Sequence, residues 1–251
     1  MRMVIFSDVH SNLEALKAFL EEADVKGADR LFCLGDSIGY GPNPNECLEL
    51  LRGLGNATIL LGNHEWSAMN LAESEWRMNP VAFRAIVWTS QRLTGDNFSY
   101  ISNLPLIAEW NSCCFYHSSA FEPEKWDYIR PGQKLKSRMC LDFAPRRIVC
   151  VGHTHQPMLL DDNGDQVLFM SPFSDGTTYL DTGESRFILN PGSIGQPRGA
   201  CVDPSYITYD SETRKIVWRR LLNYNPSVTA EKMLSFGLPT ELVYYMTGLL
   251  H

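Results

Sequence analysis

The chain has 251 residues, 44% of them hydrophobic and 20% charged, and its 22 basic and 29 acidic side chains leave a formal net charge of −7. A chain of this size and composition builds a normal core without disulfides or oligomerisation. The acidic balance argues against general attraction to nucleic acid, while leaving room for a small phosphate compound held by local positive charge.

The first third reads as alternating strand and helix. Val4 to Phe6 is a short apolar run ending at Ser7-Asp8-Val9-His10. Ser11-Asn12-Leu13-Glu14 then has the form of a capping box, with Leu13, Leu16 and Leu20 at helical spacing. A second strand, Leu31 to Leu34, ends at Gly35-Asp36. Asn43 and Pro44 suit the cap and first turn of a helix whose apolar face is Cys47, Leu48 and Leu51. A third strand, Ala57 to Leu61, ends at Gly62-Asn63-His64-Glu65. This order predicts a parallel sheet with crossover helices.

From about Trp66 to Leu104 the spacing predicts a helical excursion with no strand, including a helix over Pro80 to Leu93. Beyond Ile107 strands dominate: Cys113 to His117, Arg147 to Val151, Met158 to Leu160, Val167 to Met170, Arg186 to Leu189, Tyr206 to Tyr209 and Ile216 to Leu221. Asn163-Gly164 is a hairpin signal. Two short helices over about 226–250, parted near Gly237-Leu238-Pro239, end the chain, the second presenting Leu242, Met246 and Leu249. With no repeat or linker, residues 1–251 read as one domain.

The seven cysteines, Cys33, Cys47, Cys113, Cys114, Cys140, Cys150 and Cys201, include no CxxC pair and sit mostly in apolar runs, so they read as reduced core residues. Together with the lack of a signal-like N-terminus or a membrane-length apolar run, they place the protein in the cytoplasm, without membrane partners.

Polar residues gather where strands end: Asp8 and His10, Asp36, Asn63 and His64, His117, then His153 and His155. Ligand sites of open α/β sheets form beyond the carboxyl ends of strands, so these side chains are expected to converge. Gly35, Gly62 and Gly152 let the backbone turn sharply beside them. Singly each fragment is ordinary, a cap, a turn or a core histidine. Together they place five of the six histidines directly after short strands, and imidazole with carboxylate but no thiolate suits zinc, manganese or iron. The sixth, His251, is the last residue and carries no role.

In this order, Asp8-Val9-His10, Gly35-Asp36, Gly62-Asn63-His64-Glu65, His117 and Gly152-His153-Thr154-His155 resemble the signature blocks of the calcineurin-like metallophosphoesterases, over residues 8 to 155. Asn190-Pro191-Gly192-Ser193-Ile194-Gly195-Gln196-Pro197-Arg198 and Gly41-Pro42-Asn43-Pro44-Asn45-Glu46 are similar to its small bacterial and archaeal phosphodiesterase branch. The resemblance implies an α/β fold of four layers, αββα: a two-sheet β-sandwich flanked by helices, with a helical insertion after the third strand. It implies that Asp8, His10 and His155 hold one divalent metal ion, that Asn63, His117 and His153 hold another, and that Asp36 bridges them. Manganese is favoured, with zinc, iron or nickel as alternatives. His64 would be the catalytic histidine, donating to the substrate or leaving group, while a hydroxide between the metals attacks phosphorus in line.

The serine/threonine phosphatase branch carries Asp-Arg three and four residues beyond the bridging Asp, where this chain has Gly39 and Tyr40. Glu65 is then a candidate to orient His64, Arg198 and Asn12 are candidate substrate contacts, and Trp66, Trp76 and Trp88 are candidates to line a cleft. The expected activity is hydrolysis of a phosphodiester of a nucleotide-like or other small organic phosphate. A phosphomonoesterase, a dinucleoside polyphosphate hydrolase and a non-catalytic metal-binding scaffold are the alternatives.

Overall fold

The first strand shows how the chain uses its short apolar runs. Met3 and Ile5 point to one face and Val4 and Phe6 to the other, and all four are fully buried. A strand apolar on both faces must be covered on both, which calls for layers above and below it.

The computed structural model describes residues 1–162, 166–169, 175–199 and 203–248; the Asn163-Gly164 turn, Met170, Cys201, Leu249 and His251 lie outside the described residues. In chain order the elements are β1 (Arg2–Phe6), α1 (Leu13–Glu21), α2 (Ala23–Lys26), β2 (Arg30–Cys33), α3 (Pro44–Arg52) and β3 (Ala57–Ile59). Then come α4 (Asn63–Met69), α5 (Leu71–Arg77), α6 (Pro80–Ser90), α7 (Gly95–Ile101), β4 (Ile107–Trp110), β5 (Cys113–Tyr116), α8 (Lys134–Phe143) and β6 (Ile148–Cys150). The remainder is β7 (Pro157–Leu160), β8 (Gln166–Phe169), β9 (Thr178–Leu180), β10 (Phe187–Pro191), β11 (Ser205–Asp210), β12 (Lys215–Arg220), α9 (Pro226–Ser235) and α10 (Thr240–Thr247).

Among the described residues two six-stranded sheets form, ordered β3-β2-β1-β11-β12-β9 and β4-β5-β6-β10-β7-β8. β1, β2 and β3 run parallel, as do β5, β6 and β10, so each sheet has a parallel part whose strands end on the same side. The sheets face each other through Met3, Ile5, Phe32, Phe115, Ile148, Leu189, Ile207 and Trp218, with the Phe32 and Phe115 rings stacked at 3.9 Å. Phe6, Leu16, Phe19 and Leu51 seal the outer face of the first sheet against α1 and α3. Cys140 and Leu141 of α8 cover Cys114, Tyr116 and Val149 on the outer face of the second. The result is the four-layer αββα sandwich.

The helical excursion resolves into α4 to α7, and α4 begins at Asn63 itself. The C-terminal pair α9 and α10 packs Ala230, Met233, Leu242, Val243 and Met246 onto Ala85 of α6, with Tyr40 against the same cluster. Four elements lay outside the sequence expectation. α2 is a four-residue helix with only Val25 buried. In α8 only Ser137, Cys140 and Leu141 are buried while Leu135 and Phe143 are exposed, so the apolar residues do not single out the packed face. β4 and β9 are half-exposed edge segments without a buried run.

Trp218 joins the two sheets. It is fully buried, and its indole N–H donates to the Asn190 carbonyl at 3.0 Å. The Asn190 side-chain amide in turn donates to Gly152 O at 2.6 Å and Thr154 Oγ1 at 3.0 Å. Trp218→Phe removes volume and strands a buried carbonyl, and should destabilise the protein by about 1–3 kcal/mol, read as a lowered urea midpoint with unchanged slope.

Candidate metal centre

The parallel strands of both sheets end at one edge, and the loops after β1, β2 and β6 bend through a strained conformation. Asp8, His10, Asp36, His153 and His155 all have φ between 49° and 62°. Non-glycine residues pay about 1–2 kcal/mol for that region. It is held by loop-to-loop bonds: Asp8 N to Gly35 O (3.1 Å), His10 N to Asp36 O (2.9 Å), Gly152 N to His117 O (2.8 Å) and Gly195 N to Asp8 O (2.9 Å).

These turns bring the predicted ligands together. Asp8, His10, Asp36 and His155 offer ligand atoms within 4.8 Å of one another, and so do Asp36, His117 and His153. Asp36 belongs to both groups. Its Oδ2 lies 3.2 Å from His117 Nε2 and 3.7 Å from His10 Nε2. Asp8 Oδ1 lies 3.2 Å from His155 Nε2. Asn63 Oδ1 is 2.9 Å from His117 Nε2, which joins it to the second group. All these residues except Asn63 are buried. Asp8 Oδ2 accepts from His153 N at 3.1 Å, whereas Asp8 Oδ1 has no hydrogen-bond partner, a buried carboxylate oxygen that a cation would satisfy. Carboxylate, imidazole and amide donors in two sets sharing one carboxylate fit a pair of divalent ions.

The electrostatics agree. Burial raises Asp8 and Asp36, but the surrounding histidines overcome it and hold both well below the usual carboxylate range. Burial lowers His10, His155, His153 (to about 3) and His64 (to about 4). His117 goes the other way: burial lowers it, but the Asp36 carboxylate prevails and raises it to about 9.

His64 sits 3.9 Å (Nε2) from Asp36 Oδ2, its ring edge-on to His10 at 4.7 Å and beside Tyr40 at 4.4 Å. Gly39 decides this placement: a Cβ there would overlap His64 Nδ1. The position that carries Asp in the phosphatase branch is thus left empty for the ring, and Nδ1 has no partner.

Glu65 does not orient His64. Its buried carboxylate accepts from the backbone N–H groups of Ser37 (2.6 Å), Ile38 (3.1 Å), Asp36 (3.0 Å) and Gly62 (2.9 Å). Burial and Asp36 push it up to about 7, while those four donors favour its charged form. Glu65 therefore ties the Asp36 loop to the start of α4. Gly62 permits the join, since a Cβ there would strike Asp36.

Beside the donors opens a cleft of about 600 Å³, lined by Asp36, His64, His153 and His155 and by side chains of three other segments. Trp66, Arg77 and Asn79 come from the α4–α6 excursion, Lys125, Trp126 and Tyr128 from the segment before α8, and Tyr40 and Arg198 from loops. Arg198 is held by Gln196 Oε1 (Nε at 3.0 Å) and reaches the Tyr40 hydroxyl at 3.4 Å. Asn12 takes another place. It is fully buried, its Oδ1 caps Ala15 N at 3.2 Å, and its amide donates to Gly195 O and Tyr224 Oη, both at 2.9 Å. Every polar atom is engaged by protein, so Asn12 braces the ligand loop and does not line the cleft. Of the three tryptophans expected at a cleft, Trp66 lines it; Trp76 is 88% exposed and Trp88 packs against the C-terminal helices. Tyr40 was marked in the sequence only as the residue at the place of the phosphatase arginine, and Lys125, Trp126 and Tyr128 had no sequence signal, lying in a short segment without a repeating pattern.

The sequence matches the family description calcineurin-like phosphoesterase superfamily domain over residues 1–214. The chain belongs to that superfamily. A metallophosphoesterase from Sphaerobacter thermophilus is similar in structure, with a TM-score of 0.84 and 32% identity over 99% of this chain and 100% of its own. An uncharacterized protein of Methanocaldococcus jannaschii is 35% identical over 244 residues, 96% of this phosphoesterase and 95% of its own length. A symmetrical bis(5'-nucleosyl)-tetraphosphatase of Psychromonas ingrahamii is 42% identical over 67 residues, 26% of this chain and 24% of its own. Among the described residues no helix is long and apolar enough to cross a membrane.

A ligating imidazole must be neutral at the ligating nitrogen. In this phosphoesterase without metal, His117 stays protonated up to about pH 9, whereas the other donor histidines are already neutral at pH 7. Metal binding at pH 7.5 should release about one proton, seen as a dependence of calorimetric enthalpy on buffer ionisation enthalpy, and the release should vanish as the pH rises beyond about 9.

Proposed function

We propose that this phosphoesterase uses two divalent metal ions to hydrolyse a phosphodiester of a small organic or nucleotide-like phosphate. The observation that carries the reading is the pair of donor groups sharing Asp36 within a cleft that also presents His64, cationic side chains and aromatic rings. Asp8, His10, Asp36 and His155 would hold one ion, and Asp36, Asn63, His117 and His153 the other. Manganese is favoured by the oxygen- and imidazole-rich, thiolate-free donor set, with zinc, iron or nickel as alternatives. The ions supply Lewis acidity and lower the pKa of water.

The chain's own groups do the rest. With no acceptor beside Nδ1, the proton of the neutral His64 ring belongs on Nε2, the nitrogen nearer the shared carboxylate. From there it can donate to a phosphoryl or leaving oxygen. Arg198, braced by Gln196, offers a fixed guanidinium to a non-bridging oxygen. A diester carries a single negative charge and two substituents. Arg198 with neutral Tyr40 beside it suits that charge, and the separate lining segments of the cleft give both substituents room. Among the described residues six cysteines are free and buried, which fits a reducing cytoplasm. A second reading, hydrolysis of dinucleoside polyphosphates, is favoured by the 67-residue match to the tetraphosphatase and by the aromatic lining.

His64→Ala should keep two metal ions per chain by elemental analysis while kcat falls by about 10²–10⁴; Asp36→Asn should lose metal and activity together. Turnover like that of the unaltered protein in either variant, or no turnover with any of the four metals, sinks the catalytic reading. Arg198→Ala should raise KM about tenfold with nearly constant metal content, measured on bis-p-nitrophenyl phosphate. Faster turnover of diadenosine tetraphosphate than of simple diesters would select the second reading.

A further inference from the structure

His10, His117 and His155 share one device. Each directs Nδ1 at a backbone carbonyl, of Ile38 (3.1 Å), Leu34 (2.9 Å) and Gln196 (2.6 Å), which fixes the ring and turns Nε2 to the centre. His153 is built differently. Its Nδ1 faces the centre, 3.2 Å from His117 Nε2, and its buried Nε2 has no hydrogen-bond partner. Nothing behind the ring sets its rotation by hydrogen bonding.

An aromatic side chain stands in that place. The Tyr128 ring lies flat on the His153 imidazole, with centroids 4.0 Å apart and planes 16° apart. The Arg130 guanidinium carbon lies over the same tyrosine, 4.5 Å from its centroid. Tyr128 thus contacts both the imidazole and the guanidinium, and the cation over the tyrosine adds electrostatic attraction to the packing. The segment that delivers Tyr128 is itself constrained: Glu122 (φ 47°) and Trp126 (φ 58°) are left-handed without being glycine, and the Trp126 ring meets His117 edge-on at 5.9 Å. Strain kept in a short segment against two donor histidines marks a conformation that its surroundings hold in place.

We propose that Tyr128 is the positioning residue of the second metal position. Stacking by its ring aims His153 Nδ1 at the point shared with Asp36, Asn63 and His117, doing for the fourth histidine what a backbone carbonyl does for the other three. Metal affinity at that position then depends on the 122–130 segment, while affinity at the Asp8–His10–His155 position does not. The inference rests on the two-metal reading given above.

The test reads metal binding, not turnover. Metal-stripped wild type, Tyr128→Ala, Tyr128→Phe and His153→Ala are titrated with Mn²⁺ alone by calorimetry, with thermal melts of each metal-free protein alongside. Wild type should bind two ions. His153→Ala should lose one step, and Tyr128→Ala should weaken that same step about 10- to 100-fold while leaving the other within about twofold. Tyr128→Phe, which keeps the stack, should restore both. Tyr128→Ala binding both ions like wild type overturns the proposal, as does equal weakening of both steps. A Phe variant as impaired as the Ala variant would assign the effect to the hydroxyl and overturn it as well. Fewer than two ions on the wild type would instead overturn the two-metal reading, a result separate from the first three.

Discussion

Two carboxylates, Asp8 and Asp36, are buried completely at the junction of two sheets, and the geometry of the centre follows from that burial. Buried anions side by side are unfavourable unless positive charge is brought to them. The fold brings imidazoles, of which only one is charged at neutral pH: protonated His117 lies 3.2 Å from Asp36, while neutral His155 lies 3.2 Å from Asp8. His117 is held protonated by Asp36 up to about 9, so it stands where a cation would neutralise the same oxygen. The centre is therefore built for charge that the polypeptide itself supplies only in part.

Holding the donors this close requires backbone conformations that the local sequence disfavours. Five donor residues lie in the left-handed region, at a combined cost on the order of 5–10 kcal/mol. The offset is distributed over distant parts of the chain. Glu65 fastens the Asp36 loop, Asn190 holds the Gly152–Thr154 turn, and Ser193 Oγ donates to Asp8 O at 2.8 Å. Residues 193–198 close the arrangement, with Ile194 N on Ser7 O and Arg198 N on His155 O. The centre is complete only when residue 8 has met residue 195.

The donor groups and the cleft lining come from different layers. The donors sit on loops pinned between the two sheets, whereas much of the cleft lining comes from α4–α6 and from the segment ahead of α8. Tyr40 joins the two, touching His64 and His10 on one side and the α6–α9–α10 cluster on the other. The C-terminal helices lie beyond the superfamily match at residue 214, yet they support the residue that occupies the place of a phosphatase arginine.

How much of this was legible beforehand depends on the range of the interaction. The strands β1, β2, β3, β5 and β6 and the donor residues that follow them were readable because a buried strand and the turn that ends it are local in sequence. α8 was hidden because its contact face is only Ser137, Cys140 and Leu141, and β4 and β9 because edge strands bury too little to leave a pattern. Asn12 looked like a substrate contact because its partners, Gly195, Tyr224 and Thr229, are more than 180 residues away. Glu65 was visible as a first-turn acid, but its grip on the 36–38 loop was not. The sequence by itself determined which donors exist and where the strands deliver them. Only the tertiary structure decided which side chains face the cleft and which brace the donors, because hydrogen bonds and ring contacts between loops depend on how the two sheets are stacked, and no local pattern encodes that.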